Sequence, residues 1–189
     1  KQSGPPTILF VGNLKYLQND RGIKDFLKET YPLINRAIPD LRFIVVSSHS
    51  PLWLASYRDA VDLIPDEKTP FYQFADRAEV MVNPVRIIGG TRIKLLEALA
   101  ASMPVVTYRS SLEGFSGLMD GRDLLVAETP ADFAAAVIRL LKEPDLRDKI
   151  RQNGRVRVEQ NYTWEKSLRG LMTLYRGLLF SSAADKPHG

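Results

Sequence analysis

Side chains and glycines able to bind a ligand are concentrated in one stretch, residues 83–97. An apolar run leads into this stretch, Gly89 and Gly90 lie in its middle, and apolar side chains at helical spacing follow. The pattern predicts a strand, a glycine loop and a helix, with Thr91 able to cap the helix. Adjacent glycines let the backbone approach a ligand closely, and the free N–H groups at a helix start suit phosphate. The stretch therefore predicts an anion-binding site.

Charged side chains extend this prediction. Arg92 and Lys94 place positive charges in the predicted first turn, where the helix dipole disfavours cations, so their position indicates an anionic partner. Glu97 follows Lys94 by one turn, and its carboxylate could accept hydrogen bonds from ribose hydroxyls or simply pair with Lys94. The pattern is neither the dinucleotide-binding glycine motif nor a Walker A sequence, so an ordinary surface loop stays open as the alternative here.

The composition limits the possible functions. The 189 residues include 44% hydrophobic and 25% charged side chains, which is typical of one globular domain. The absence of cysteine excludes disulfides, and two histidines leave little room for a metal site. The net charge of +4 comes from scattered lysines and arginines, so a nucleic-acid partner is not expected. No signal peptide and no membrane-spanning apolar run are found.

Apolar runs and helical spacing divide the chain into alternating elements. We predict strands at residues 7–11, 41–46, 61–64, 79–82, 104–108 and 123–127. We predict helices at residues 20–38, 52–58, 67–76, 91–102, 129–142, 144–161 and 163–178. Asp20 could cap the first of these helices, and Pro32 could kink or divide it. Around the domain, at residues 7–180, we expect a linker at 1–6 and a disordered tail at 181–189, in a piece of a longer protein.

The alternation predicts an α/β fold, a Rossmann-like, doubly wound, parallel six-stranded sheet in a three-layer αβα sandwich with a helical C-terminus. Ligands of such sheets bind beyond the carboxyl ends of the strands. The segments expected at that edge are residues 12–13, 47–48, 83–91 and 109–117. The fold and the glycine loop therefore point to the same crevice.

Several motifs occur in one order over residues 7–176. They are Phe10-Val-Gly-Asn13, Asn19-Asp-Arg-Gly22, Gly90-Thr-Arg-Ile-Lys-Leu-Leu-Glu-Ala-Leu-Ala100, Pro104-Val-Val106, Glu113-Gly114, Gly121-Arg-Asp-Leu-Leu125 and Tyr162-Thr-Trp164. With these motifs the chain resembles the carboxyl-terminal, donor-binding half of retaining glycosyltransferases of the GT-B fold, family four (group 1).

The resemblance implies roles for particular residues. Glu97 matches the second glutamate of the family's Glu-x7-Glu motif, which binds the ribose hydroxyls of the nucleotide. The first glutamate of that motif falls on Gly89, so this sequence departs from the family near the donor sugar. The backbone amides expected to hold the diphosphate belong to Gly90, Thr91, Arg92 and Ile93. Arg92 or Lys94 would offset the charge of the departing diphosphate and are the candidates for a catalytic role.

Two further parts of the site follow from the same resemblance. Gly12 and Asn13 would lie under the diphosphate at the end of the first strand, although Gly12 could also be only a strand-ending turn. Residues 64–72 would face the base. Asn19 could contribute or merely cap a helix, and His49 is expected to be a turn residue.

The function implied is hexosyl transfer with retention from an NDP-sugar, with UDP or GDP as the nucleotide, to an acceptor in glycan biosynthesis. The acceptor site would lie in an amino-terminal half, towards which the last helix would reach, so this chain alone should bind donor but transfer poorly. We expect no cofactor, no metal and a cytoplasmic enzyme, with possible peripheral membrane association. The alternatives are a non-catalytic nucleotide-binding or interaction module with a degenerate donor site and half of an NDP-sugar epimerase.

Overall fold

One sheet of six strands organises the molecule. The computed structural model describes residues 4–66, 68–87 and 92–184. The strands are β1 (Thr7–Val11), β2 (Arg42–Val46), β3 (Asp62–Ile64), β4 (Val80–Asn83), β5 (Val105–Tyr108) and β6 (Leu125–Ala127). Their order in the sheet is β3-β2-β1-β4-β5-β6, and all pairs are parallel. This is the doubly wound sheet predicted from the sequence, and the strand order reverses between β1 and β4.

Helices cover both faces of the sheet. They are α1 (Leu17–Asp25), α2 (Tyr31–Ala37), α3 (Tyr72–Ala75), α4 (Ile93–Ala100), α5 (Pro130–Lys142), α6 (Pro144–Asn161) and α7 (Trp164–Ala184). A π-helical turn, Phe26–Thr30, joins α1 to α2, and short 3-10 helices occupy Leu52–Tyr57 and Arg109–Leu112. None of the helices in the described part of the chain is long and apolar enough to cross a membrane.

The core has two halves, one on each face of the sheet. Along β1, Ile8 and Phe10 point into the half formed with α1, α2 and α5, whereas Leu9 and Val11 point into the half formed with α4 and its neighbours. Each residue of β1 is buried. A strand buried on both faces reads as a continuous apolar run, which is why β1 was predictable from sequence.

The helices that begin with strong local signals match the prediction. Thr129 caps α5 in a capping box: its hydroxyl oxygen accepts from the Asp132 amide, and the Asp132 carboxylate accepts from the Thr129 amide. The Thr129 hydroxyl also donates to the Asp132 carboxylate at 2.8 Å, and this bond, together with that from the Thr129 amide, holds the pKa of Asp132 below its usual value. Helix α6 has the predicted bounds as well. The last helix extends to Ala184, so it includes the first residues of the expected tail.

The region predicted as a helix at 20–38 starts earlier and is divided. A turn in which the Tyr16 amide donates to the Asn13 carbonyl leads directly into α1, so Asp20 lies in the first turn and does not cap the helix. Asp20 instead accepts from the indole N–H of Trp53 at 2.7 Å. Pro32 has no N–H for the carbonyl four residues before it, and the π-helical turn precedes it.

The helix predicted at 67–76 is reduced to α3. The Asp66 carboxylate accepts from the amides of Lys68 and Thr69, which holds this segment in a turn. Pro70 follows, and the helix begins only at Tyr72. The helix predicted at residues 52–58 is a 3-10 helix, Leu52–Tyr57. Strands β2 to β6 each begin one or two residues later than predicted.

Candidate functional site

The strand-order reversal between β1 and β4 places three predicted residues around one cavity at the carboxyl edge of the sheet. Gly12, Asn13 and Lys94 line a cavity of about 360 Å³. Its other described lining residues are Val11, Tyr16, Asn19, Val46, Asp66 and Thr69. The predicted Gly89, Gly90 and Thr91 lie outside the described residues.

The loop after β1 forms one wall of this cavity. The Gly12 amide donates to the Val46 carbonyl at 3.0 Å, continuing the β1–β2 pairing by one residue. A Cβ on Gly12 would lie 2.8 Å from the tip of the Phe10 ring and 3.0 Å from Asn19 Nδ2. Glycine is therefore required here by packing within the chain, and Asn19, inside α1, uses its amide to hold the Asn13 carbonyl at 2.9 Å.

The loop after β2 supports that wall through contacts that sequence reasoning did not assign. Ser47 is 2% exposed, and its hydroxyl oxygen accepts from the amides of Leu14 at 3.0 Å and His49 at 3.1 Å. Asn13 Nδ2 donates to Ser48 Oγ at 2.9 Å. The two loops are thus joined by side chains, and the turn role predicted for His49 agrees with these bonds.

The segment predicted to face the base does reach the cavity. Asp66 and Thr69 line it. The Thr69 hydroxyl donates to Asp66 at 2.5 Å, and the Asp66 carboxylate also accepts from the Thr69 amide at 2.9 Å. These bonds give the loop after β3 a defined shape beside the ends of β1 and β2.

Helix α4 presents Lys94 to the cavity from the other side. The helix begins at Ile93 with Arg92 as its N-cap residue, two residues later than predicted. Ile93 is exposed. Lys94 Nζ lies 2.7 Å from Glu97 Oε2, with the two side chains 47% and 38% exposed. Glu97 is not among the described cavity-lining residues, and its carboxylate pairs with Lys94.

Arg92 is held against the chain itself. Its guanidinium donates to the Ile87 carbonyl, and burial lowers the pKa of Arg92. Removing water from a cation disfavours its charge, and an anion near it restores the balance. Arg92 and Lys94 therefore flank the start of α4 with positive charge that an anionic ligand would stabilise.

The backbone between β4 and the glycine loop is fixed from several directions. A Cβ on Gly22 would lie 3.0 Å from the Pro84 carbonyl oxygen, so α1 packs directly on this segment. The buried Ser111 hydroxyl donates to the Val85 carbonyl. Arg86 donates to the hydroxyl of Tyr108 at 2.9 Å. The sequence assigned no role to these residues, because their partners lie far away along the chain.

A larger cavity, of about 550 Å³, lies at the amino edge of the sheet. Its charged groups are engaged with the chain: Glu79 accepts from the Thr7 amide at 2.7 Å, Arg147 donates to the Leu140 carbonyl at 3.3 Å, and Arg151 lies 3.5 Å from Asp148. Ligands of doubly wound sheets bind at the carboxyl edge. We therefore place the candidate site in the smaller cavity. Within the described ranges, no three acidic or histidine side chains are grouped to hold a metal ion.

Comparison with known proteins agrees with this fold. Residues 5–143 match the family described as glycosyl transferases group 1. A curated relative, an uncharacterized 44.6 kDa protein in the cps region of Klebsiella pneumoniae, is 26% identical in an alignment of 168 residues that covers 84% of this chain. The chain spans 43% of the length of that relative.

Two solved structures are similar over most of the chain. One is a mutant of S. aureus TarM in complex with fondaparinux, α-GlcNAc-glycerol and UDP, with a TM-score of 0.74, 15% identity, and coverage of 93% of this chain and 36% of that one. The other is the C-terminal domain of a glycosyl transferase group 1 family protein (LpcC) from Francisella tularensis. Its TM-score is 0.65 and its identity 17%, with 86% of this chain and 90% of that domain covered.

Proposed function

Because this chain belongs to the group 1 glycosyltransferases and has the fold of their carboxyl-terminal domain, we propose that it binds the nucleoside diphosphate of a sugar donor. The ligand would lie in the crevice between the ends of β1 and β4. The whole protein would transfer a hexosyl group, with retention, from an NDP-sugar to an acceptor.

One observation carries this proposal. Gly12 and Asn13, from the end of β1, and Lys94, from the start of α4, line the same cavity although they are about 80 residues apart. They meet at the strand-order reversal, where doubly wound sheets bind nucleotides. The similar TarM structure contains UDP, which supports a nucleotide ligand for this fold.

The charges of the site suit the leaving group. When the bond between the sugar and the diphosphate breaks, negative charge develops on the diphosphate oxygen. In our proposal Lys94, which lines the cavity, and Arg92, at the N-cap of α4, would stabilise that charge together with the helix dipole. With these cations in place, the proposed reaction needs no metal. Glu97 would release Lys94 and accept from the ribose hydroxyls.

In our proposal, the acceptor site lies in a part of the protein outside this chain. The chain spans 43% of its curated relative, which leaves room for a second domain with the acceptor site. This chain alone would then bind donor but transfer sugar poorly, and efficient transfer by the 189 residues would contradict that assignment. We also propose that the enzyme is cytoplasmic and that it associates peripherally with anionic membranes. If the full-length protein does not bind anionic vesicles at physiological salt, the membrane association is wrong.

Isothermal titration of the chain with UDP, GDP and ADP, with the matching nucleosides as controls, tests the proposal. Selective binding of one diphosphate, and weaker binding of its nucleoside, would support an anion site and identify the base. Equal binding of nucleoside and diphosphate would contradict the diphosphate site. Absence of binding at millimolar nucleotide would contradict donor binding by this chain alone and favour a non-catalytic module or a site completed by the second domain.

A further inference from the structure

The four residues that lead from β4 towards the glycine loop, Pro84 to Ile87, form what we call the entry segment. It begins directly after the buried Asn83, whose amide donates to Thr107 Oγ1 at 2.9 Å across β4 and β5. Helix α1 packs on its first half, because a Cβ on Gly22 would lie 3.0 Å from the Pro84 carbonyl oxygen. Ile87, its last residue, accepts from the guanidinium of Arg92 at the N-cap of α4, so a shift of the entry segment would move a contact of the proposed site.

Arg86 connects the entry segment to the neighbouring strand β5. Its guanidinium carbon lies 4.2 Å from the ring centroid of Tyr108, and its Nη2 donates to the Tyr108 hydroxyl at 2.9 Å. Tyr108 ends β5, is 5% exposed, and packs its ring 4.9 Å from that of Phe133 in α5. The side chain of the exposed residue Arg86 is thus held on a buried ring.

This arrangement separates Arg86 from the cations of the site. Lys94 lines the cavity, whereas Arg86 is not among the described residues that line it. The Tyr108 ring belongs to the core half on the α5 face, and α4 belongs to the opposite half. Arg86 is therefore placed to act on the ligand through the backbone that it fixes.

We propose that Arg86 is a positioning residue for the diphosphate site, and that its stack and hydrogen bond on Tyr108 fix the backbone of the entry segment. The fork of a guanidinium can stack and donate at the same time, and a lysine ammonium cannot replace that geometry. The inference rests on the proposed donor site. Hydrogen exchange of the entry segment provides a readout that does not depend on nucleotide binding.

The test compares the parent chain with Arg86→Lys, which keeps the charge, and Tyr108→Phe, which keeps the buried ring and removes its hydroxyl. Arg109→Lys is the matched control, since Arg109 follows Tyr108 and pairs with Glu128 on the surface. We expect Arg86→Lys to weaken diphosphate binding by roughly tenfold, the lower end of the effect of losing an outer-shell partner at metal sites, which also act through the residue that they orient. Nucleoside binding and the melting temperature should stay unchanged.

Exchange of the amides of Val85, Arg86 and Ile87 should become faster in Arg86→Lys and Tyr108→Phe, and not in Arg109→Lys. Unchanged exchange in Arg86→Lys would overturn the proposal, and so would faster exchange with unaltered diphosphate affinity. A parent that binds no diphosphate would count against the proposed donor site in this chain. In that case the exchange comparison alone decides whether Arg86 fixes the entry segment.

Discussion

Lys94 and Glu97 pair with each other in this structure, and both are also proposed to bind the ligand. Their side chains form an ion pair at 2.7 Å, but both are well exposed to water. Such a surface pair contributes about 0.2–1 kcal/mol to stability, and salt weakens it further. A ligand that offers a diphosphate to Lys94 and hydroxyls to Glu97 would therefore break the pair at little cost. The pairing seen in this structure is compatible with the ribose role of Glu97.

Replacing Glu97 with alanine should weaken nucleotide binding without unfolding the domain. Hydrogen bonds to a charged group are worth about 1.5–3 kcal/mol, so Glu97→Ala should reduce the affinity for a ribonucleoside diphosphate roughly tenfold to a hundredfold. Titration of parent and variant with the ribonucleotide and with its 2′,3′-dideoxy analogue measures this. The parent should prefer the ribonucleotide, and the variant should bind both alike.

Glu159→Ala is the matched control, because Glu159 pairs with Arg155 on the exposed face of α6. It should change neither binding nor melting temperature. If Glu97→Ala binds the ribonucleotide as tightly as the parent does, Glu97 only pairs with Lys94 and the ribose role is wrong.

The residues of the site were predictable where local sequence carried the signal. Gly12 and Asn13 follow an apolar run, and Lys94 begins a helical pattern, so each could be placed at the carboxyl edge before the structure was known. Ser47 and Arg86 could not be assigned, because their roles depend on partners 33 and 22 residues away along the chain. Only the packed structure shows these contacts.

At the scale of elements, caps and breakers decided which boundaries were predictable. Thr129 and Asp132 form a capping box and Pro144 starts the next helix, so α5 and α6 have their predicted bounds. The region of α1 and α2 was predicted less well. Its start depends on a turn between Asn13 and Tyr16. Pro32 indicated that the helix could be divided, but no periodicity reveals the π-helical turn at which it divides.

The end of α4 has a strained residue that a substitution should relieve. Ser102 has φ of 55°, and its amide donates to the Leu99 carbonyl while the Met103 amide donates to the Ala98 carbonyl. These bonds define a Schellman motif, which favours glycine at the position of Ser102. The left-handed conformation costs a residue with a Cβ about 1 kcal/mol or more.

We expect Ser102→Gly to stabilise the domain, and thermal unfolding should show it. Because glycine also increases the freedom of the unfolded chain, we expect a net gain of about 0.5 kcal/mol and a melting temperature higher by about 1–2 °C. Ala101→Gly is the control: Ala101 has φ of −80°, so glycine there should lower the melting temperature. A lower melting temperature for Ser102→Gly would show that the serine side chain stabilises this turn.

At the scale of the whole molecule, the buried sheet contrasts with helix α7, which exposes apolar side chains. The parallel strands are flanked by helices on both faces, and the alternation of elements predicted this architecture. Helix α7, in contrast, has a stripe of exposed apolar side chains at helical spacing. They are Trp164, Leu168, Leu171, Met172 and Tyr175. Contiguous exposed apolar surface often marks an interaction site, so we expect another part of a protein to cover this stripe.

The sequence predicts that the last helix reaches towards an amino-terminal half, which would then cover the apolar stripe of α7. A pair of substitutions tests whether the stripe is covered in the full-length protein. Leu171 lies on the apolar stripe and Arg169 on the polar side of α7. In this chain Leu171→Asp should change stability by no more than about 0.5 kcal/mol, as usual for exposed sites. In the full-length protein it should cost at least the ~1.5–3 kcal/mol of a buried leucine and lower the melting temperature by several degrees. Arg169→Asp is the control and should have little effect on stability in this chain or in the full-length protein. Equal changes in melting temperature for Leu171→Asp in both proteins would show that the rest of the enzyme does not cover the stripe.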